Sequence, residues 1–78
     1  MMTVYSKPNC VQCTATYRAL DGQGIDYQVV DLTGSDAALE YVTQELGYSQ
    51  APVVVVDEHD HWSGFRPDKI DQHAAATL

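Results

Sequence analysis

Short β-prone runs and segments of helical spacing follow one another along the chain. "TVYS" (3–6) is short and β-prone, and Pro8 and Asn9 end it in a turn. From Cys13 the apolar positions Cys13, Tyr17 and Leu20 recur at i, i+4 and i+7, one face of a helix that the glycines of "DGQG" (21–24) stop. "DYQVVDL" (26–32) reads as a second strand. Thr33, Gly34 and Ser35 then supply turn and N-cap chemistry for a second helix, "DAALEYVTQEL". Its Leu39, Val42 and Leu46 share one face, and Gly47 closes it. "PVVVVD" (52–57) is a continuous β-branched run, as expected of a strand buried on both faces. "DEHD" turns it into a short strand at 61–63, forming a hairpin. Pro67 and Asp68 suit the first turn of a last helix whose inner face holds Ile70 and Ala74.

The order βαβαββα joins a parallel βαβ unit to an antiparallel hairpin. The fold class expected is therefore α/β, a mixed four-stranded sheet flanked by three helices, with a right-handed crossover. Length allows nothing larger: 78 residues build one small core, so a single domain over 1–78 is expected. The first ten residues lack the apolar core of a leader, and "APVVVV" is far short of a membrane span. A soluble, cytoplasmic monomer is expected, with no membrane partner.

Charge narrows the partners further. A formal net charge of −7 argues against nucleic acid, whose phosphates call for clustered Lys and Arg. All the acids except Asp68 and Asp71 fall between residues 19 and 61, a stretch without Lys or Arg. Lys7 and Arg18 flank the cysteines, and Arg66 and Lys69 sit by the last helix. The acidic stretch fits an ordinary solvated surface as readily as a docking face.

The candidate chemistry lies in "SKPNCVQC". Cys10 and Cys13 are too close in sequence for a bridge between them to constrain the unfolded chain much, so they make a poor staple. In a reducing cytosol such a pair points to catalysis or metal binding, and CxxC beside βαβ points to a thioredoxin-like dithiol. Cys10 falls at the N-cap or first turn of the helix, where unpaired N–H groups and the positive helix end favour a thiolate. About 2 kcal/mol of such help takes a thiol from a few per cent ionised at neutral pH to roughly half. Lys7 is close enough in sequence to contribute. Cys13, a turn further in, is the resolving thiol: Cys10 attacks a substrate disulfide, then Cys13 attacks Cys10 and releases the reduced product. Val11 and Gln12 lie between them, with no role that the sequence alone defines. Metal or iron–sulfur ligation is the weaker reading, because His59, His61 and His73 lack zinc-finger spacing; no metal and no bound cofactor are expected.

Two further segments stand out. Pro52, in "QAPV", reads from sequence as an ordinary proline opening a strand. In "HWSGFRPDKI" (61–70), Trp62 and Phe65 are either buried hairpin aromatics or, with Arg66, an exposed docking loop beside the thiol.

"CVQC" after the first strand, "APV" before the third and "WSGFRPDKI" entering the last helix together resemble the NrdH-redoxins, glutaredoxin-like members of the thioredoxin superfamily. The resemblance covers essentially the whole chain. It implies a thioredoxin/glutaredoxin fold, reduction by NADPH-dependent thioredoxin reductase, and electron delivery to class Ib ribonucleotide reductase. It also implies a cis Ala51–Pro52 bond facing the CxxC, with the Ala51 backbone pairing with a client strand. Trp62, Ser63, Gly64, Phe65, Arg66 and Pro67 are expected to form a docking loop beside the thiol. A glutathione-dependent glutaredoxin is the alternative. That family commonly has a tyrosine inside the CxxC, and a Gly-Gly followed by Asp where the tripeptide is gripped. Here Gln12 and "SGFRP" stand at those places, while Lys7 and Asp68 match loosely. A non-catalytic binding module on the same fold is the remaining alternative.

Overall fold

The structure, a computed structural model, describes residues 2–76; residues 1, 77 and 78 of the expected domain lie outside the described residues. Strands β1 (Met2–Ser6), β2 (Tyr27–Asp31), β3 (Val53–Asp57) and β4 (Asp60–Ser63) alternate with helices α1 (Val11–Gly22), α2 (Asp36–Glu40) and α3 (Pro67–Ala76) in the expected order. The sheet runs β2-β1-β3-β4, with β2 parallel to β1 and both other pairings antiparallel. This is the mixed four-stranded, three-helix thioredoxin-like fold.

Strand alternation sorts the side chains. Met2, Val4 and Ser6 of β1 are buried, and Met2 and Val4 join Leu20, Val54, Trp62 and Ile70 in the main core, beneath α1 and α3. Gln23 Nε2 donates to Asp71 Oδ1 at 3.0 Å and ties the end of α1 to α3. On the other face Tyr5 meets Tyr41, ring centroids 5.8 Å apart, and Val42 is buried. The valine run behaves as expected only in its first half. Val53 and Val54 are buried between β1 and β4, while Val55 and Val56 are half-buried towards the hairpin.

The second helix departs from a single regular face. α2 gives way at Tyr41 to a π-helical turn (Tyr41–Glu45), in which the Leu46 N–H donates to the Tyr41 carbonyl at 3.1 Å. The Thr43 hydroxyl donates to the Leu39 carbonyl at 2.7 Å, competing with the backbone at the junction. Val42 stays buried, but Leu39 is 45% exposed, so the expected Leu39–Val42–Leu46 stripe is broken. Gly47, at φ 79, then reverses the chain, and the Tyr48 N–H closes on the Val42 carbonyl at 2.9 Å.

Candidate active site: a dithiol at a helix N-terminus

β1 delivers the chain to the site and the turn after it aims Cys10. Pro8 fixes its own φ, and Asn9 takes φ 59, a left-handed backbone that Asn tolerates better than most residues. Cys10 then adopts an extended backbone and caps α1 with its sulfur, the Cys13 N–H donating to Sγ at 3.2 Å. This amide and the positive end of α1 both favour negative charge on that sulfur.

Cys10 is half-buried and Cys13 only 2% exposed. Their Cα atoms are 5.2 Å apart and their sulfurs are at disulfide-bonding distance. The outer sulfur is the more open to another protein and the inner one is buried beside it, an arrangement that suits a nucleophile and a resolving thiol. Lys7, Asn9, Val11, Thr14 and Tyr17 line an open groove around the pair.

The floor of the site is braced from below. Thr16, absent from the sequence-derived face, is fully buried, its hydroxyl donating to the Gln12 carbonyl at 2.8 Å. Tyr17 donates to the buried Ser6 Oγ at 2.6 Å and so fixes α1 on the end of β1. Tyr17 belongs to the inner face expected of the helix, but its hydroxyl contact and the burial of Thr16 carry no sequence signal, because a Thr inside a helical pattern reads as amphipathic filler.

The other two segments meet the cysteines in space. The Ala51–Pro52 bond is cis. The Gly64 N–H donates to the Pro52 carbonyl at 2.8 Å, and Ser63 Oγ to the Gln50 carbonyl at 2.9 Å. Gln12 Oε1 accepts the Phe65 N–H at 3.1 Å. "CVQC", "QAP" and "SGF" are thereby one hydrogen-bonded cluster. Beside it lies an apolar groove of about 200 Å³ whose lining includes Lys7, Leu32, Leu39, Tyr48 and Ala51.

Trp62 needs correcting as a docking residue. It is 3% exposed and belongs to the core, stacked on His73 with ring centroids 5.6 Å apart. The alternation of β4 turns Trp62 inwards, and the exposed aromatic of the loop is Phe65, which shares a groove with Val11 and Arg18. Arg66 and Pro67 are exposed; Arg66 holds both carboxylate oxygens of Asp68, at 3.1 and 2.9 Å, across the start of α3. This pairing keeps the Asp68 carboxyl below its ordinary value.

The histidines lie apart from the thiols. His59 is in the hairpin turn against Glu58, His61 Nδ1 meets the Tyr48 hydroxyl at 2.8 Å, and His73 pairs with Asp60 at 3.0 Å.

Residues 2–62 match the family described as Glutaredoxin. The chain is 38% identical to the glutaredoxin-like protein NrdH of Escherichia coli, the alignment covering 96% of each. Its fold superposes on the NrdH-redoxin from Escherichia coli, described as having a thioredoxin-like activity profile, with a TM-score of 0.84 and 91% of each chain covered. A buckwheat glutaredoxin solved with glutathione matches at 26% identity and a TM-score of 0.72, over 99% of this chain and 71% of that one. No helix among the described residues is long and apolar enough to cross a membrane.

Proposed function

This chain belongs to the glutaredoxin family, among its NrdH-like members, and is a thiol–disulfide oxidoreductase; from that premise we propose that it carries electrons from NADPH-dependent thioredoxin reductase to class Ib ribonucleotide reductase. Thioredoxin reductase reduces the Cys10–Cys13 disulfide. Cys10 Sγ then attacks a disulfide of ribonucleotide reductase, expelling one of its sulfurs as a thiolate and forming a mixed disulfide. Cys13 Sγ attacks Cys10, releases the second client thiolate and restores the internal disulfide, so two electrons pass to the client. The client chain lies extended along Ala51 and Pro52, and its apolar side chains meet Phe65 and Val11. The site of action is the cytoplasm, where a reducing pool keeps such carriers cycling.

The observation that carries this reading is the loop beside the thiols. Gly64–Phe65–Arg66 replaces the glycine pair expected of a glutathione grip, and it offers an exposed aromatic ring, suited to a protein partner. Asp68, which loosely matches the glutathione-dependent pattern, is engaged with Arg66.

The experiment is deoxynucleotide formation by a class Ib ribonucleotide reductase supplied with NADPH and thioredoxin reductase. Product should appear only when this chain is added, and Cys10→Ser should abolish it. Equal product without the chain, or with Cys10→Ser, would overturn the reading.

A further inference from the structure

Gln12 stands between the cysteines with an exposed side chain, yet its carboxamide is committed. Oε1 accepts the Phe65 N–H at 3.1 Å. A methyl built on Gly64 would come within 3.2 Å of the same oxygen, so the carbonyl lies tight against the loop. That loop has the donors an anion would use. Phe65 contributes a backbone N–H just before α3, and Arg66 contributes a guanidinium. Both are met from within the chain: the N–H by Gln12, the guanidinium by the two carboxylate oxygens of Asp68. Val11 and Phe65 border a common groove, so the loop edge flanks the nucleophile's own turn.

We propose that Gln12, with Asp68 in support, is a specificity-determining residue that occupies the anion-receptive edge of the 63–66 loop and so turns away small thiols bearing free carboxylates. This rests on the dithiol reading above and names what excludes the competing electron source. A protein client makes apolar and main-chain contacts and needs no free donor on this loop. A small carboxylate thiol must displace a hydrogen bond already made.

Two such thiols reduce the protein in sequence. The first thiolate attacks Cys10 Sγ, forming a mixed disulfide and releasing the Cys13 thiolate, which takes the proton the thiol gave up. The second attacks the sulfur of the first, forming the small disulfide and releasing Cys10. Two thiols are oxidised and the protein gains two electrons and two protons. A free Phe65 N–H would hold a carboxylate of the incoming thiol in the first step and of the thiol already joined to Cys10 in the second. A charge-assisted bond of that kind is worth about tenfold in rate.

The test follows reduction of the oxidised protein by glutathione and by glutathione diethyl ester, which has the same thiol with its carboxylates masked. Quenched samples are alkylated and weighed. Gln12→Ala and Gln12→Leu should raise the glutathione-to-ester rate ratio about tenfold. Gln12→Glu, which keeps an acceptor on the same N–H, should leave the ratio at or below the parent's. Asp68→Ala should raise it less. If Gln12→Ala and Gln12→Leu change both rates equally, or Gln12→Glu raises the ratio as they do, Gln12 acts on the couple or the fold and the proposal fails. Thioredoxin reductase is absent from this assay, so failure here leaves the electron-donor reading standing, and failure there leaves the ratio unexplained by it.

Discussion

A methyl group at position 64 tests how the loop beside the thiols is held. Gly64 has φ 84, in the left-handed region, and its N–H is committed to the Pro52 carbonyl at 2.8 Å, so the backbone cannot swing away without losing that bond. Placing a Cβ in such a conformation costs about 1–2 kcal/mol. The same methyl would meet Gln12 Oε1 at 3.2 Å, tighter than ordinary contact, and push against the hydrogen bond to Phe65, a bond worth about 1 kcal/mol. Gly64→Ala should therefore destabilise the protein by about 2 kcal/mol. With a urea dependence of about 1 kcal/mol per molar for a chain this small, the midpoint falls by about 2 M at unchanged slope. Repeating the substitution in Gln12→Ala separates the two parts. The contact contribution disappears, and the backbone contribution of about 1–2 kcal/mol remains. Gly64→Asn, better suited to left-handed backbone, should cost less than Ala in the Gln12→Ala background. A midpoint shift below about 0.3 M, equivalent to about 0.3 kcal/mol, would refute the positive-φ argument. So would a penalty that vanishes altogether once Gln12 is removed.

Cys13→Ser should accumulate a mixed disulfide between Cys10 and a client, seen as a higher-mass band on non-reducing gels, whereas normal turnover by this variant would reverse the assigned roles. Tyr17→Phe strips the buried Ser6 hydroxyl of its 2.6 Å donor and should cost about 1–2 kcal/mol in urea unfolding, with Ser6→Ala in the same background recovering part of the loss. The Arg66 pairing lowers the Asp68 carboxyl in the folded state, so its stabilisation is present above the unfolded carboxylate range and is lost as pH falls through the folded value. The melting temperature of Asp68→Asn should thus lie slightly below the parent's at neutral pH and converge with it in acid; a gap that widens on acidification would contradict the pairing. Phe65→Ala should slow reduction by thioredoxin reductase while leaving reduction by dithiothreitol nearly unchanged, which stopped-flow kinetics of the two reactions would show.

Much of this architecture is written locally. The valine run, the glycines after Leu20 and the Ser35 cap each act within a few residues, and the strand and helix order follows from them. Cys10 and Cys13 were legible for the same reason, since three residues at a helix start set both the cap and the inward turn. What escaped depends on contacts between distant segments or on competition within one. The break in the Leu39–Val42–Leu46 stripe comes from a π turn at which Thr43 competes for a backbone carbonyl, a choice that helical periodicity does not encode. Trp62 could face either way until the register of β4 against β3 set its side, with Val54 opposite it. Gln12 offered no sequence signal, because its partner is the backbone of Phe65, 53 residues away.

In the proposed function this dithiol draws its electrons from thioredoxin reductase and not from glutathione. NADPH consumption with an insulin-type disulfide acceptor, comparing thioredoxin reductase with glutathione plus glutathione reductase as the source, decides between the two. Rapid turnover is expected with thioredoxin reductase and little with glutathione. Turnover chiefly with glutathione would contradict it.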